Sequence, residues 1–367
     1  MSAGWGRPGR RLAGLLAAAA LTALLLAPTA GAAGYDPIAS GQTTLQLAPS
    51  FARLLHRSGV QLEGKGGVTV RGRAVAFPVA AGKLEPLEAR GTIEHAGQLV
   101  FRAGARKLPL RSLQLKTTRA SAPYAGKLGG GQLKLADGAR LVGERQGFGT
   151  EFTTTGMRLS AKVAGRLGKK LHLPGVFAPG TRLGSAVTTV EPATVGLAPA
   201  GRIELSLDPG FAAKLASFFV AVNPIFPAEH PGAFTFPIGG GVLAPDGTAG
   251  TVKSTGGIEF IQVGGGQFFV RDLEPELAIA GANAEYQLVL ASSGAGPNAV
   301  GPLLGLGAGA FTAEPAARTI TESGAPLTLS ATMAQGFDEA FARPIGRPDS
   351  FVAGETLGTI SYPTTAE

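Results

Sequence analysis

The 367-residue chain contains no cysteine, one tryptophan (Trp5) and four histidines. Without cysteine it has neither disulfide cross-links nor thiolate ligands for a metal, and thiol redox chemistry is excluded. Stability must therefore come from buried apolar area and backbone pairing. Two domains of about 150 residues are each large enough to provide that.

The usual catalytic motifs are missing as well. The sequence has no Gly-x-Ser-x-Gly elbow, no His-Glu-x-x-His pair, no Walker loop and no EF-hand spacing. The four histidines, His56, His95, His172 and His230, lie far apart, and a triad or zinc site would need them to converge with carboxylates. We therefore expect a protein that is not an enzyme and holds no metal. A hydrolase would require His95 or His172 beside Ser and Asp side chains in a cleft.

The N-terminus has the pattern of a secretory signal peptide, so we expect residues 1–32 to be removed. Basic residues precede an apolar run, a proline and three small residues, namely Arg7, Arg10 and Arg11, then Leu12 to Leu26, Pro28 and Ala30-Gly31-Ala32. The alternative, a membrane anchor, fits an apolar run of about 15 residues less well. No later segment has 18 consecutive apolar residues, so we expect a mature chain without a transmembrane segment. Its expected location is secreted, extracellular or cell-wall associated.

The rest of the chain contains two divergent copies of one pattern. The segment Gly91–Phe101 matches Gly250–Phe260 without a gap, and Leu159–Leu171 matches Leu329–Phe341 in the same way. A period of this length indicates a duplicated domain, since solenoid repeats run at roughly 20–50 residues. We define the first half as residues 41–192 and the second half as residues 199–367, joined by a predicted linker at 193–198.

Charge separates the two halves. The first half holds 23 Lys+Arg against 8 Asp+Glu, a net charge of +15, and the second half holds 7 against 16, a net charge of −9. Such asymmetry creates a field that steers charged partners. The first half should attract anionic polymers, acidic ligands or the second half itself. The alternative is that the opposite charges of the two halves complement each other within the molecule and serve only solubility. We expect no nucleic-acid partner, because the chain is exported and its basic residues lack interleaved aromatics.

Local patterns predict an all-β protein with a few short helices. Short runs with period-two alternation are separated by turn signals in a chain with 56 Gly and 26 Pro. A helix should follow the first strand of each half, over Pro49–Arg57 in the first and after the N-cap Asp208 in the second. A second helix, capped by Ser160 or Ser330, should close each half. We predict two tandem β-sandwich domains, each with two short helices, related by internal duplication.

Short motifs in both halves resemble the HtaA domain, the haem-transport-associated domain of secreted or surface-held actinobacterial proteins. The resemblance rests on Ser50-Phe51 at the first helix and on the Gly91-x-x-x-His95-x-Gly97-x-Leu99 segment. The Ala-, Gly- and Arg-rich composition also suits a high-GC actinomycete. The resemblance implies a β-sandwich with short helices and a role in haem handling at the cell envelope.

The same resemblance implies a set of haem-binding residues. In the family, a tyrosine three residues after the Phe of the Ser-Phe pair ligates haem iron; here Leu54 stands at that position. His95 falls at the position of the family's supporting histidine, and His56 is a candidate substitute ligand. Arg53 or Arg57 would pair with the propionates. The candidate site residues are His95, His56, Ser50, Arg53 and Arg57.

Ordinary structural roles remain open for two of these residues: His95 as a satisfied strand-end histidine and His56 as part of a solvated helix face. In the second half, Lys214 and Ser254 replace the family's tyrosine and histidine. The resemblance therefore implies haem in the first half alone, and no other cofactor is assigned.

Two functions follow. The first is a secreted, non-catalytic binding protein of the cell envelope that takes haem or a similar anionic ligand. This needs a concave apolar pocket near His56 and His95, and binding should survive moderate salt. The alternative is a structural or adhesive protein that docks on anionic wall polymers through exposed cations and weakens steeply with salt. Those cations are Arg102, Arg106, Lys107 and Arg111.

Overall fold

Strands dominate the computed structural model, which describes residues 35–85, 87–117, 124–230, 232–277, 280–290, 294–295 and 299–367. The predicted signal peptide, residues 1–32, lies outside the described residues. Residues Tyr35–Glu367 form one compact unit. Among the described residues, no helix combines the length and apolar character needed to span a membrane.

One 13-stranded sheet occupies the first half. Its strands are β1 Asp36–Leu47, β2 Val60–Lys65, β3 Thr69–Arg71, β4 Ala74–Leu84, β5 Gly91–His95, β6 Gln98–Ala103, β7 Arg106–Lys116, β8 Tyr124–Leu128, β9 Gly131–Lys134, β10 Ala136–Asp137, β11 Arg140–Gln146, β12 Gly149–Leu159 and β13 Arg182–Pro192. Helix α1 (Pro49–Arg57) follows β1, and helix α2 (Ala161–Leu171) follows β12.

This first sheet curves until its ends meet. Strands β7, β5, β4, β1, β13 and β12 are neighbours in that order, β8 pairs with β7, and β9 pairs with β8. Leu135 closes the gap between β9 and β10, because its N–H donates to the carbonyl of Tyr124 and its carbonyl accepts from the N–H of Ser160. The result is a closed ring around an apolar interior.

A second 13-stranded sheet occupies the second half. Its strands are β14 Val195–Gly196, β15 Arg202–Leu207, β16 Val220–Ile225, β17 Phe234–Leu243, β18 Gly250–Ser254, β19 Gly257–Gln262, β20 Gln267–Glu276, β21 Gly281–Leu290, β22 Gly294–Ala295, β23 Ala299–Leu306, β24 Ala310–Glu314, β25 Thr319–Leu329 and β26 Thr356–Thr365. Helix α3 (Pro209–Ser217) follows β15, and helix α4 (Ala331–Phe337) follows β25 and continues into a π-helical turn, Asp338–Ala342, and a 3₁₀ turn, Arg343–Ile345.

The second sheet is also a closed ring. Its strand order runs β20, β18, β17, β15, β26, β25, β23 and β21, and β21 pairs back onto β20 from Gln267 opposite Val289 to Glu276 opposite Gly281. The all-β class is confirmed. The prediction was two facing sheets in each half, whereas each half has one sheet that closes on itself. Alternation of inward apolar residues is the same in both arrangements, so it does not distinguish them. The duplication stays a prediction.

The helices begin where their capping residues predict. Asp208 accepts a hydrogen bond from the N–H of Phe211, Ser160 from that of Val163 and Ser330 from that of Met333. Helix α1 spans the predicted residues 49–57 and has proline in its first turn. Each helix turns its apolar side to the sheet, as the buried Phe51 and Leu55 of α1 show.

The two rings have separate cores, and in the described part of the chain they contact each other around Phe148. Phe148, in the turn between β11 and β12 of the first half, packs into the core of the second half. The Arg318 guanidinium donates to the carbonyl of Gly147 over 3.1 Å, and the N–H of Gly196 donates to the Asp36 carboxylate over 3.2 Å. The predicted linker, residues 193–198, contains β14, where Val195 lies opposite Leu243 of β17.

Candidate functional site

A chain of hydrogen bonds between buried side chains crosses the interior of the first half. Nε2 of His95, on β5, lies 2.6 Å from Oγ1 of Thr43 on β1, and that hydroxyl lies 2.7 Å from Oγ1 of Thr188 on β13. Tyr124 Oη, on β8, lies 3.1 Å from Thr188 Oγ1 and 3.5 Å from Oγ1 of Thr154 on β12. We call these five residues the hydroxyl chain. It links five strands of the ring from inside.

The far end of the hydroxyl chain gives it a direction. Nδ1 of His95 lies 3.0 Å from the carbonyl oxygen of Leu113, which can only accept a hydrogen bond. Nδ1 therefore carries the proton, and in a neutral imidazole Nε2 accepts from the Thr43 hydroxyl. Thr43 then accepts from Thr188, and Thr188 accepts from Tyr124. Both ring nitrogens of His95 are thus engaged within the protein.

Burial favours the neutral form of His95. Desolvation lowers the pKa of this histidine below its ordinary value, and the hydrogen bond to Leu113 opposes that shift only in part. The His95 ring also meets the ring of Phe77 edge-on at a centroid distance of 6.3 Å. For Tyr124, desolvation raises the pKa of the phenol, so it stays protonated and can donate. A histidine held in this way serves packing and hydrogen bonding in the state described.

The other candidate residues of the resemblance lie together on helix α1. Ser50, Arg53, His56 and Arg57 are all exposed there, whereas Leu54 is half-buried. Arg53, His56 and Arg57 stand at i, i+3 and i+4 and therefore share one helix face. The contacts of His95 lie instead on β1, β4 and β7. The structure thus groups four of the candidates on one surface and places His95 in the hydroxyl chain.

An apolar cavity of about 60 Å³ lies inside the first ring. Its wall includes Phe51 of helix α1 and Leu167 of helix α2, and its hydroxyl-bearing members are Thr43 and Tyr124 of the hydroxyl chain. Sites for drug-sized ligands measure about 300–1,000 Å³. This cavity is therefore far too small for a porphyrin.

An open groove of about 400 Å³ marks the outside of the same ring, next to His95. Lys65 ends β2 on one side of it, and Arg111 of β7 stands on the other side. The Arg111 guanidinium donates through Nε to the side-chain oxygen of Gln98 over 2.7 Å, which orients it along the groove. Two exposed cations at one groove suit an anionic group.

Cations continue from the groove across the outer face of β6, β7 and β8, where Arg102 is half-buried and Lys107, Arg111 and Lys127 are exposed. In the strand register, Arg102 lies opposite Lys107, and Arg111 lies opposite Lys127. Arg102 has a carboxylate partner, since its Nε lies 3.0 Å from Glu63 Oε1. Among the described residues, neither Arg111 nor Lys127 forms an ion pair. We call Lys65, Arg111 and Lys127 the basic row.

The corresponding positions of the second half have a different chemistry. Lys214, which stands where the resemblance puts the iron-ligating tyrosine, forms an ion pair with Glu355 at 2.5 Å and lies 4.8 Å from the ring centroid of Phe351. Ser254 stands at the position of His95 and donates to the carbonyl of Leu273. In the part of the chain that the structure describes, no three His, Asp or Glu side chains are grouped to hold a metal ion.

The solved structures that this chain resembles include two domains of HtaA and the protein HtaB from Corynebacterium glutamicum. The C-terminal domain of HtaA aligns at 11% identity with a TM-score of 0.36, over 42% of this chain and 98% of the domain. The N-terminal domain of HtaA aligns at 15% identity and a TM-score of 0.31, over 47% of this chain and 99% of the domain. The haem-binding protein HtaB aligns at 13% identity and a TM-score of 0.31, over 47% of this chain and 95% of that protein. No protein-family model and no curated protein sequence matches the chain.

Sequence reasoning missed the partners of His95 and two members of the basic row. Thr43 and Thr188 occupy inward positions of otherwise apolar strands, and an inward threonine in such a pattern signals a polar group that needs a partner. The sequence did not indicate that Lys65 and Lys127 lie near Arg111, because strand register decides which residues are cross-strand neighbours and the sequence leaves register open.

Proposed function

We propose that this chain is an exported, non-catalytic binding protein of the actinobacterial cell envelope, and that its first half docks on an anionic wall polymer. The observation that carries the proposal is the outer face of β6, β7 and β8, where Arg111 lies opposite Lys127 and neither forms an ion pair with any residue that the structure describes. The signal-peptide pattern and the +15 charge of the first half support the same reading.

The physical basis is electrostatic. Exposed cations attract an anionic polymer over about 8–10 Å at physiological ionic strength, and salt screens that attraction. The opposite charge of the second half directs the polymer to the first half. A polymer held by surface charge needs no apolar pocket. The small interior cavity is consistent with this mode of binding.

The test is sedimentation of residues 33–367 with isolated cell walls at increasing NaCl concentration. We expect binding at 50 mM NaCl that falls at least tenfold by 300 mM, as screening predicts. The variant Arg106→Ala/Lys107→Ala should weaken binding, whereas the paired control Arg343→Ala/Arg347→Ala, in the acidic second half, should not. Binding that resists salt, or no binding at all, would overturn the proposal.

Haem is the second candidate ligand, favoured by the exposed face of helix α1. His56 stands there between Arg53 and Arg57, an arrangement that offers one imidazole for iron and two guanidinium groups for carboxylates. The resemblance to the HtaA domain supports the same ligand. These residues fit haem as a cargo that lies on the surface.

A hemin titration of residues 33–367, followed in the Soret region, tests this candidate. A stoichiometric shifted band that disappears in His56→Ala and persists in His230→Ala would support haem on helix α1. Loss of the band in His95→Ala instead would move the ligand to the hydroxyl chain. A spectrum like that of free hemin would show that the protein does not bind haem.

A further inference from the structure

Like charges face each other on the outer surface of the first ring. Arg111 and Lys127 are directly opposite in the register of β7 and β8, and both side chains are exposed. Side chains in such pairs are about 5 Å apart at Cβ, and like charges there destabilise a sheet. Nothing in the fold requires both positions to be basic, because outward positions accept most polar residues.

The second half shows what this position looks like when the charges balance. Strand β20 corresponds to β7, since Phe268 lies opposite Phe260 of β19 as Leu108 lies opposite Phe101 of β6. On β20, Arg271 corresponds to Arg111, and each is followed by a residue with positive φ, Asp272 at 49° and Ser112 at 48°.

Opposite Arg271 stands Glu285, where the first half has Lys127. The same site on the two rings therefore carries a complementary pair in one and a repelling pair in the other. The repelling pair is the one that borders an open groove. The electrostatic cost of two opposed cations is expected at a binding site, where the ligand supplies the negative charge that the fold lacks.

Lys65 extends the pair into a line. The register runs from Lys65 to Gln98, from Gln98 to Arg111 and from Arg111 to Lys127, on four adjacent strands. With strands about 4.8 Å apart, the three cations stand at roughly 0, 10 and 15 Å along a line perpendicular to the strands. Gln98 holds the Arg111 guanidinium in that line through the bond to Nε, so its terminal N–H groups remain for a ligand.

We infer that the basic row binds a phosphodiester polymer that runs across β2, β6, β7 and β8, with one phosphate bridging Arg111 and Lys127. This inference rests on the proposed function and names its subsite. A phosphodiester has two non-bridging oxygens that share one negative charge, so a single group can meet a guanidinium and an ammonium on neighbouring strands. A second phosphate farther along the polymer would meet Lys65.

The test exchanges the pattern of the first half for that of the second. The variant Lys127→Glu places a carboxylate opposite Arg111, just as Glu285 lies opposite Arg271 in the register of the second half. We expect its Tm to rise by about 1–2 °C. Its Kd for poly(glycerol phosphate) at 50 mM NaCl should rise at least about tenfold, because one cation is lost and an anion is added. The substitution is therefore expected to stabilise the fold and to weaken binding of the polymer.

The control is Lys116→Glu, which makes the same charge change on β7, opposite Thr92 and outside the basic row. Its Kd should rise less than threefold. Equal losses of affinity in the two variants would overturn the subsite while leaving the proposed function in place. Poly-L-glutamate should bind the unmodified protein more weakly than poly(glycerol phosphate), and tighter binding would overturn the phosphodiester assignment. Failure of the unmodified protein to bind either polymer, together with no binding to cell walls, would overturn the proposed function itself.

Discussion

The two rings hold their interiors together in different ways. The second half has a cluster of aromatic side chains that contact one another around Phe337, whereas the first half has a mostly aliphatic core, a cavity and the hydroxyl chain. The ungapped helix match places Leu167 where the second half has Phe337, and strand register places Leu108 where it has Phe268. Of these two residues, Leu167 lines the cavity of about 60 Å³, so a smaller side chain at this position contributes to that space.

Polar groups show the same contrast. His95 Nδ1 donates to the carbonyl of Leu113, and Ser254 Oγ donates to the carbonyl of Leu273 at the matching position. Beyond that bond the halves diverge, because Ile203 stands where Thr43 continues the hydroxyl chain. The first half therefore has a connected polar interior and the second an aromatic one, and substitutions in each half separate their contributions to stability.

The largest effect is expected from Phe337→Ala. The Phe337 ring lies 4.9–6.1 Å, centroid to centroid, from five other rings, those of Phe211, Phe260, Phe268, Phe341 and Phe351. Its removal should lower the free energy of unfolding of residues 33–367 by about 3–5 kcal/mol. Urea unfolding followed by circular dichroism measures this. The matched control is Leu167→Ala, which enlarges a space that already exists; a larger loss in that variant would contradict the contrast between the interiors.

Thr43→Val should cost about 1–3 kcal/mol. Valine has nearly the shape of threonine but removes the hydroxyl that joins Nε2 of His95 to Thr188, and both groups are then buried without that partner. The neighbouring Thr44→Val is the control, because the Thr44 hydroxyl bonds Gln42 in an exposed position. Equal unfolding free energies for the two variants would show that the hydroxyl chain adds nothing to stability.

Leu167→Phe copies the second half into the first and should stabilise the protein. Filling a cavity of about 60 Å³ recovers up to about 1.4 kcal/mol at 24 cal/mol per Å³. The gain requires the phenyl ring to enter the space beside Phe51 without displacing it. Denaturant unfolding measures the change, with the surface substitution Lys170→Phe on the same helix as control. A lower stability than that of the unmodified protein would mean that the cavity cannot take a ring.

Local patterns predicted the elements of this fold better than their assembly. Asp208, Ser160 and Ser330 marked helix starts because a cap depends on a few adjacent residues. Ring closure depends on pairing such as that of Gln267 with Val289, which alternation does not reveal. The same limit applies to the candidate site. His95 stood out by its residue type, but its partner Thr43 lies 52 residues before it, and Thr188 lies 145 residues after Thr43.

The smallest expected effect is a pH dependence that belongs to His95. Burial lowers the pKa of His95 in the folded protein below its ordinary value of 6.5. Above pH 6.5 both folded and unfolded chains hold a neutral imidazole at this position, so the stability is complete. As the pH falls below 6.5, the unfolded chain takes up a proton that the folded chain refuses, and stability is lost toward the lowered pKa of the folded state. Between pH 6.5 and 5.5 the loss should reach at most about 1 kcal/mol.

In His95→Gln the part of this loss that arises from His95 should vanish, because glutamine does not titrate. The comparison is the difference in unfolding free energy between pH 6.5 and 5.5, measured for the variant and for the unmodified protein. His230→Gln is the control, since its ring packs against Phe234 outside the hydroxyl chain. An equal pH dependence in His95→Gln and the unmodified protein would mean that the imidazole of His95 is protonated as easily in the folded protein as in the unfolded chain. The hydroxyl chain would then reverse its direction on protonation, with Nε2 of His95 donating to Thr43, because each hydroxyl can exchange its donor and acceptor roles.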